Sequence, residues 1–332
     1  MTAGHQAATD FPTVIRNFIP HHIPVAYLEG YQSVIAAPRD LGWPVSPSLI
    51  FTSVAYSSDD TFKAWAAEKT EQGAQLVIGQ HGGHFGMTPF AFHEEHQIRI
   101  ADRWISWGWS EPTQTHVTPV GNLKVMGRSR INYNPAGEAL MVEMAIPRYS
   151  YHLFAIPIST QWLDYFQEQQ RFLQVLPEAL RRRVVLRLFN FDYGWDQLTR
   201  WRDTGLGVQL DSGKTNILPL IRKSRLYIST FNSTTILESL SWNIPTIAFW
   251  NPNHWELKEE ATPFFDQLRE AGVFHKTPES AARQMIKVWD DVETWWFSGS
   301  VQTARKEFCK QFTHTPEYPL RALRTLFKKT AT

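Results

Sequence analysis

Residues Leu226 to Trp250 read LYISTFNSTTILESLSWNIPTIAFW, and this stretch decides the fold. Leu226 to Ser229 is a short apolar run, Thr234 to Trp242 repeats its apolar positions at helical spacing until Asn243 and Pro245 stop it, and Thr246 to Trp250 is apolar again. A strand, a helix and a second strand in so short a span make the crossover unit of a parallel sheet. In such sheets ligands bind beyond the carboxyl ends of the strands, where a helix N-terminus offers free N–H groups and a partial positive charge to phosphate. Asn232, Ser233, Thr234 and Thr235 occupy that position and are small enough to let a phosphate approach. Glu238 stands a turn inside the helix, where it can accept hydrogen bonds from a ribose. The plainer alternative makes Ser233 a helix cap and Glu238 a solvated or salt-bridged side chain.

The same alternation extends in both directions. Toward the C-terminus and back to the middle of the chain, Leu140 to Ile146, Val184 to Phe189 and Val208 to Leu210 read as strands. Helices are expected from Thr160 to about Leu176, from Trp195 to Arg202 and from Ile217 to Lys223, with Thr277-Pro278-Glu279 opening a long one. Earlier, Ser48 to Val54 and Gln75 to Gly79 flank a helix opened by Ser57-Ser58-Asp59-Asp60, and Arg103 to Trp107 and His116 to Val120 extend the sheet. Gly127 to Gly137, with Asn132, Asn134 and Pro135, reads as a linker. The expected organisation is α/β with two domains, residues 1–130 and 138–332, and no internal repeat.

Composition narrows the function. The 332 residues are 43% hydrophobic with a net charge of +1, and scattered Lys and Arg leave no electrostatic footprint for nucleic acid. Cys309 is the single cysteine, so neither a disulfide framework nor a cysteine-based zinc site can be built. Met1 to Asp10 has no signal-peptide pattern and no window reaches the length of a membrane span, so the chain reads as cytoplasmic, with at most peripheral contact at the inner membrane. The 14 Trp and 21 Phe are expected mainly in cores, with sugar stacking as the functional alternative. Trp289 to Phe297 carries Asp290, Asp291 and Glu293, which anionic lipid would repel, so it is expected to pack back on the first domain.

A second motif follows the strand Gln75 to Gly79. Gly79-Gln80-His81-Gly82-Gly83-His84-Phe85-Gly86 has the glycine density of a backbone needing positive φ or a close neighbour. It puts His81 at the mouth of the sheet, where an imidazole can bind an oxyanion or move a proton. Its spacing is neither a P-loop nor a dinucleotide fingerprint. His84, His93 and His96 lie near in sequence without the spacing of a helical ligand pair, and no metal is expected.

Phe62 to Lys69, then Gln80-His81-Gly82-Gly83, then Glu95, Asp102 and Trp107-Gly108-Trp109, followed by Asn232 to Thr235 with Glu238 and by Asn243 to Thr246 with Phe249 to Pro252, together resemble a family of surface-polysaccharide transferases from bacterial O-antigen and capsule loci. The resemblance covers roughly Ile50 to Ala282. It implies a GT-B-like fold, two Rossmann-like domains with parallel sheets facing across a cleft, with two alternatives for the first one here: an abbreviated domain or a partial chain. It also implies distant similarity to transferases that use CMP-activated ulosonic acids such as Kdo. On this reading a nucleotide-sugar donor binds the C-terminal domain and a polysaccharide or lipid-linked glycan acceptor binds the N-terminal one. No metal and no other cofactor is required, since helix N-termini and basic side chains can stabilise the leaving phosphate. Arg187 and Lys214 are the basic candidates for that role, each with an ordinary alternative as an ion-pair partner or a solvated turn residue. Asp192 is a candidate for a sugar hydroxyl or a helix cap. Gln80, Gly82 and Gly83 form the acceptor-side loop, and His81 is the first candidate general base, ahead of Glu29, Glu95 and Asp102.

Other classes fit parts of this pattern. A sugar-nucleotide epimerase shares the architecture and needs no acceptor. A noncatalytic carbohydrate-binding or assembly protein would use the aromatic residues alone. A nicotinamide-dependent oxidoreductase lacks its fingerprint here.

Overall fold

The computed structural model describes residues 11–128, 131–150 and 155–330, so Met1 to Asp10 and part of the expected linker lie outside the described residues. Two compact units are present, one reaching to Val77 and one running from Ile78 to Lys329. The division falls inside strand β2 (Gln75–Gly79), ahead of the boundary expected at 130–138.

The first unit holds α1 (Phe11–His22), a 3-10 turn at Val25–Tyr27, α2 (Tyr31–Asp40), β1 (Leu49–Thr52), α3 (Ala55–Ser58) and α4 (Asp60–Glu71). The acidic run before α4 does what its letters promise, since Asp59 accepts from Phe62 N at 2.9 Å. Helices α1 and α2 were not legible because each contains a proline, Pro20 and Pro38, which reads as a breaker.

The second unit continues with α5 (Phe92–Ile100), β3 (Arg103–Ser106) and β4 (Val117–Pro119), where β3 and β4 are parallel. Between residues 119 and 138 the chain passes to a second sheet. There follow β5 (Glu138–Val142), α6 (Gln161–Val175), α7 (Glu178–Arg181), β6 (Val184–Arg187), α8 (Gln197–Asp203), β7 (Gln209–Asp211), α9 (Leu218–Lys223), β8 (Ser224–Ser229), α10 (Thr234–Ser241) and β9 (Thr246–Phe249). The remainder is α11 (Thr262–Glu270), β10 (Phe274–His275), α12 (Pro278–Val288), α13 (Val292–Trp296), α14 (Gly299–Phe312) and α15 (Pro319–Thr330).

This second sheet has six strands in the order β10-β9-β8-β5-β6-β7, with every neighbouring pair parallel. From β5 the chain steps outward through β6 to β7, then returns to β8 on the other side of β5 and steps outward again. The order therefore reverses between β5 and β8, the switch point at which sheets of this topology form a crevice beyond the carboxyl ends of the two strands. Both faces of the sheet are covered, which is why Ala139, Val184, Leu226, Tyr227 and Ile247 are fully buried and the strands read as unbroken apolar runs.

Two boundaries differ from the sequence reading in ways that matter. Strand β5 stops at Val142, its last ladder partner being Ser229, so Glu143 stands past the strand end and not within it. Helix α8 begins at Gln197 because Tyr193 and Asp196 both take φ of 52°, a left-handed conformation incompatible with helix. At the other end of the deciding stretch, Asn243 has φ of 57° and closes α10 as its position before Ile-Pro suggested.

Most of the tryptophans are structural. Trp104, Trp107, Trp162, Trp201, Trp250 and Trp296 are all essentially fully buried. Most also place the indole N–H on a partner, as Trp162 does on Met144 O at 3.1 Å and Trp195 on Ile146 O at 2.7 Å. Trp296 donates to Asn243 O at 3.1 Å, so the aromatic segment packs on its own half of the chain, at the end of α10. The residues that reach the β3–β4 half come later. His314 N donates to Trp107 O at 2.7 Å, and Asn122 N donates to His314 O at 2.7 Å. Gly121, with φ of 144°, allows this approach, since a side chain there would run into His314 O.

Candidate functional site

The site is built where the crevice at β5 and β8 meets the glycine motif. After Ser229 the chain turns through Thr230, Phe231 and Asn232 into α10. Ser233 is the residue before the helix, and its side chain makes no capping hydrogen bond, so the plainer reading of Ser233 as a cap is not realised. Asn232 is 1% exposed, and neither its Oδ1 nor its Nδ2 has a hydrogen-bond partner among the described residues. A buried amide in that state is costly unless a ligand or solvent completes it.

The glycine motif sits directly on this helix start. A Cβ added to Gly83 would press into Ser233 C and Thr234 N and come within 2.6 Å of Thr234 Cα. The close neighbour that the glycines required is thus the first turn of α10. Gln80 holds the loop in place: its Nε2 donates to Gly82 O at 2.7 Å, and its Oε1 accepts from Trp107 N at 2.9 Å and from Trp109 Nε1 at 3.0 Å. Gly86, with φ of 75°, packs against the Trp109 ring and donates to Glu94 Oε2 at 2.6 Å. Glu94 in turn pairs with Lys258 Nζ at 2.9 Å. The loop is clamped from both halves of this unit.

His81 is half-buried on that loop, edge-on to Phe85 at 5.3 Å and to His93 at 6.2 Å between ring centroids. Burial pulls the imidazole of His84 down to about 4, with repulsion from His81 and His93 adding to it, so His84 is neutral at pH 7. Among the described residues no group of three or more His, Cys, Asp or Glu is arranged to hold a metal ion.

Glu238 is 7% exposed on α10, and Lys124 Nζ lies 3.2 Å from its Oε1. Lys124 follows β4 and was not singled out from the sequence; its backbone N–H is held by Asn122 Oδ1 at 2.9 Å, and Asn122 Nδ2 donates to Thr313 Oγ1 at 2.9 Å. Only a fixed turn around a buried asparagine could have hinted at it.

The remaining candidates are distributed differently. Arg187, at the end of β6, pairs with Asp211 and donates to Gly213 O at 2.9 Å and to Thr215 O, so its guanidinium is occupied in shaping the loop that carries Lys214. Lys214 itself is exposed on that loop. Asp192 accepts from Gly194 N at 3.1 Å, Asp196 N at 2.8 Å and Gln197 N at 2.7 Å, which is the helix-cap alternative. Partial burial works to raise its carboxyl, and these backbone donors outweigh it and hold the group below its ordinary value. Glu95 is exposed on α5 and paired with Arg99. Asp102 precedes β3 and stands at that strand's amino end, whereas His81 follows the carboxyl end of β2. Glu29 is exposed in the turn before α2 of the first unit.

One residue at the crevice escaped the sequence reading altogether. Glu143 is 1% exposed and accepts from Trp201 Nε1 at 2.6 Å through Oε2, while Oε1 has no partner among the described residues. Burial pushes its carboxyl up to about 8; the Trp201 bond opposes this and Asp192 adds to it. The signal available was an acid inside the apolar run Leu140 to Ile146.

Among solved structures, a spinosyn rhamnosyltransferase, SpnG, is similar over 91% of this chain and 76% of its own, with 14% identity and a TM-score of 0.43. The same enzyme complexed with thymidine diphosphate gives 13% identity and 0.41 over 90% and 76%. WaaG, a glycosyltransferase involved in lipopolysaccharide biosynthesis, gives 10% identity and 0.37 over 89% and 80%. A comparison with curated proteins finds no match. No described helix is long and apolar enough to cross a membrane. Residues 2–327 match the family model described as LIC12162 family transferase, and the chain belongs to that family.

Proposed function

We propose that this transferase is a glycosyltransferase of the GT-B type, taking a nucleotide-activated sugar at the crevice between β5 and β8 and delivering the sugar to a glycan acceptor. The observation that carries the reading is the seating of Gly83 on the uncapped start of α10, beside the unpartnered amide of Asn232. This places two backbone motifs at one anion-accepting helix end, with His81 on the adjoining turn. The motif resemblance to surface-polysaccharide transferases supports a sugar as the transferred group, a CMP-linked ulosonic acid as one donor, and a polysaccharide or lipid-linked acceptor reached peripherally at the membrane.

In the reaction the acceptor oxygen bonds to the anomeric carbon while the bond from that carbon to the donor phosphate breaks. His81 takes the hydroxyl proton, and the electron pair leaves on the phosphate, whose charge the α10 amides and Lys124 stabilise. Thr234 and Thr235 line the helix start, Glu238 orients Lys124 and accepts from the ribose, and Lys214 closes on the nucleotide from the β7 side. No metal enters this scheme.

The test is a thermal-shift and calorimetric titration of the purified chain with CMP, UDP, GDP and dTDP without added metal. One of them is expected to raise the melting temperature, and the rise is expected to vanish in Glu238→Ala. Folded protein stabilised by none of the four would sink the reading. Interconversion of free sugar nucleotides without acceptor would replace it with an epimerase.

A further inference from the structure

The floor of the crevice is a hydrogen-bond chain whose direction is forced. Met144 N donates to Tyr165 Oη at 2.9 Å, and Thr230 Oγ1 donates to Val142 O at 2.7 Å. The Tyr165 Oη to Thr230 Oγ1 contact of 2.5 Å must then carry the tyrosine proton, because the threonine proton is already committed. This chain ties the end of β5 to the end of β8 and leaves no hydroxyl donor over.

Glu143 lies beside it. Trp201 is a pure donor, so Oε2 of Glu143 is an acceptor and any carboxyl proton resides on Oε1, the oxygen without a partner. The charge that acts on this carboxyl comes from Asp192 in the β6–α8 loop, while an ionised Glu143 would itself disfavour ionisation of Tyr165 on α6. Arg187 on β6, whose backbone O accepts from Glu143 N at 2.9 Å, has its guanidinium committed to Asp211 and two loop carbonyls. An ionised Glu143 would therefore add negative charge to an acidic corner, where a phosphate could not settle. A protonated one adds the hydrogen-bond donor that the floor lacks.

We infer that Glu143 is a further binding residue of this crevice, donating from Oε1 to a phosphate oxygen of the bound nucleotide. The inference rests on reading the crevice as the nucleotide site. Binding requires the carboxyl in its neutral form, and ionisation removes the donor and repels the ligand. The neutral form prevails at neutral pH because burial raises the carboxyl to about 8.

The experiment uses whichever of UDP, GDP, dTDP and CMP stabilises the wild-type chain most, titrated calorimetrically between about pH 7 and 9.5. The nucleotide phosphate, its last pKa being about 6, is about nine-tenths ionised at pH 7 and more so above, so its own titration moves affinity little across this range. Wild-type affinity is expected to fall about tenfold per pH unit above the Glu143 transition. Glu143→Gln, which copies the shape and donor of the neutral acid, is expected to keep its pH 7 affinity to within about threefold at every pH. A flat wild-type profile, or the same decline in Glu143→Gln, would overturn the inference while leaving the nucleotide site standing. Absence of any nucleotide binding by folded wild type at pH 7 would remove both together.

Discussion

Gly83 and Gly82 are adjacent in the motif and meet very different surroundings. An alanine methyl at Gly83 would drive into the main-chain atoms of Ser233 and Thr234, 2.6 Å from Thr234 Cα, and main-chain atoms cannot rotate away. At Gly82 the same methyl would meet nothing closer than 3.9 Å, at the rings of His84 and Phe85. Relief at Gly83 requires the loop or the start of α10 to move by about 1 Å. The loop resists, because Gln80 ties it to Gly82, Trp107 and Trp109, and Gly86 is fastened through Glu94 to Lys258. Overpacking by a methyl costs about 1–3 kcal/mol, and a neighbour that is backbone on both sides puts Gly83→Ala near the upper end. In a unit of this size each kcal/mol lowers the melting temperature by about 2–4 °C, so a fall of about 6–12 °C is expected. Gly82→Ala should melt within about 2 °C of wild type. Calorimetric melts of the two variants, with a nucleotide titration of each, measure both effects. Equal melting temperatures would refute the close seating of the loop on α10 and, with it, the site assembled here.

Glu143 gives a stability prediction that needs no ligand. Its carboxyl is raised from 4.5 to about 8 in the folded chain, so the native state holds the proton more tightly and the associated stability, complete below pH 4.5, is lost as pH rises through about 8. At about 1.4 kcal/mol for each tenfold change in proton activity, the interval from 4.5 to about 8 amounts to about 5 kcal/mol. Glu143→Gln should therefore gain up to that much on wild type at pH 9 and little at pH 4.5, as read by urea denaturation; parallel curves would refute it. Asp192 behaves in the opposite sense. Its carboxyl is lowered by its backbone donors, so its contribution is present above the ordinary value of 3.8 and lost as pH falls below it. Asp192→Ala should cost about 1 kcal/mol at pH 7, and the difference should close in acid.

Much of the C-terminal sheet was legible because parallel strands are buried on both faces and appear as apolar runs whatever their neighbours. The helix ends were legible for a local reason: Asn243 before Ile244-Pro245, closing α10, and Asp59, opening α4, act within a few residues of themselves. The helices α1 and α2 were hidden by internal prolines, and α5, α11 and α14 were not marked because they open without a side-chain cap. At the site, Gln80 and the glycines were readable as a tight loop, whereas the partner of that loop was not. Arg187 was readable as a cation at a strand end, but its engagement by Asp211, Gly213 and Thr215 was not.

Local chemistry accounts for what the amino-acid sequence determined by itself. Spacing of apolar residues, capping side chains and glycine density fix the conformation of each short segment, and these pointed to an α/β chain with a phosphate-sized opening at Asn232 to Thr235. Only the tertiary structure decided the pairings. Gly83 meets Thr234, Lys124 meets Glu238, and Glu143 is left beside Trp201 with one unpartnered oxygen. Each of these depends on the order in which strands enter the sheets, a property of the whole chain to which no single window of residues has access.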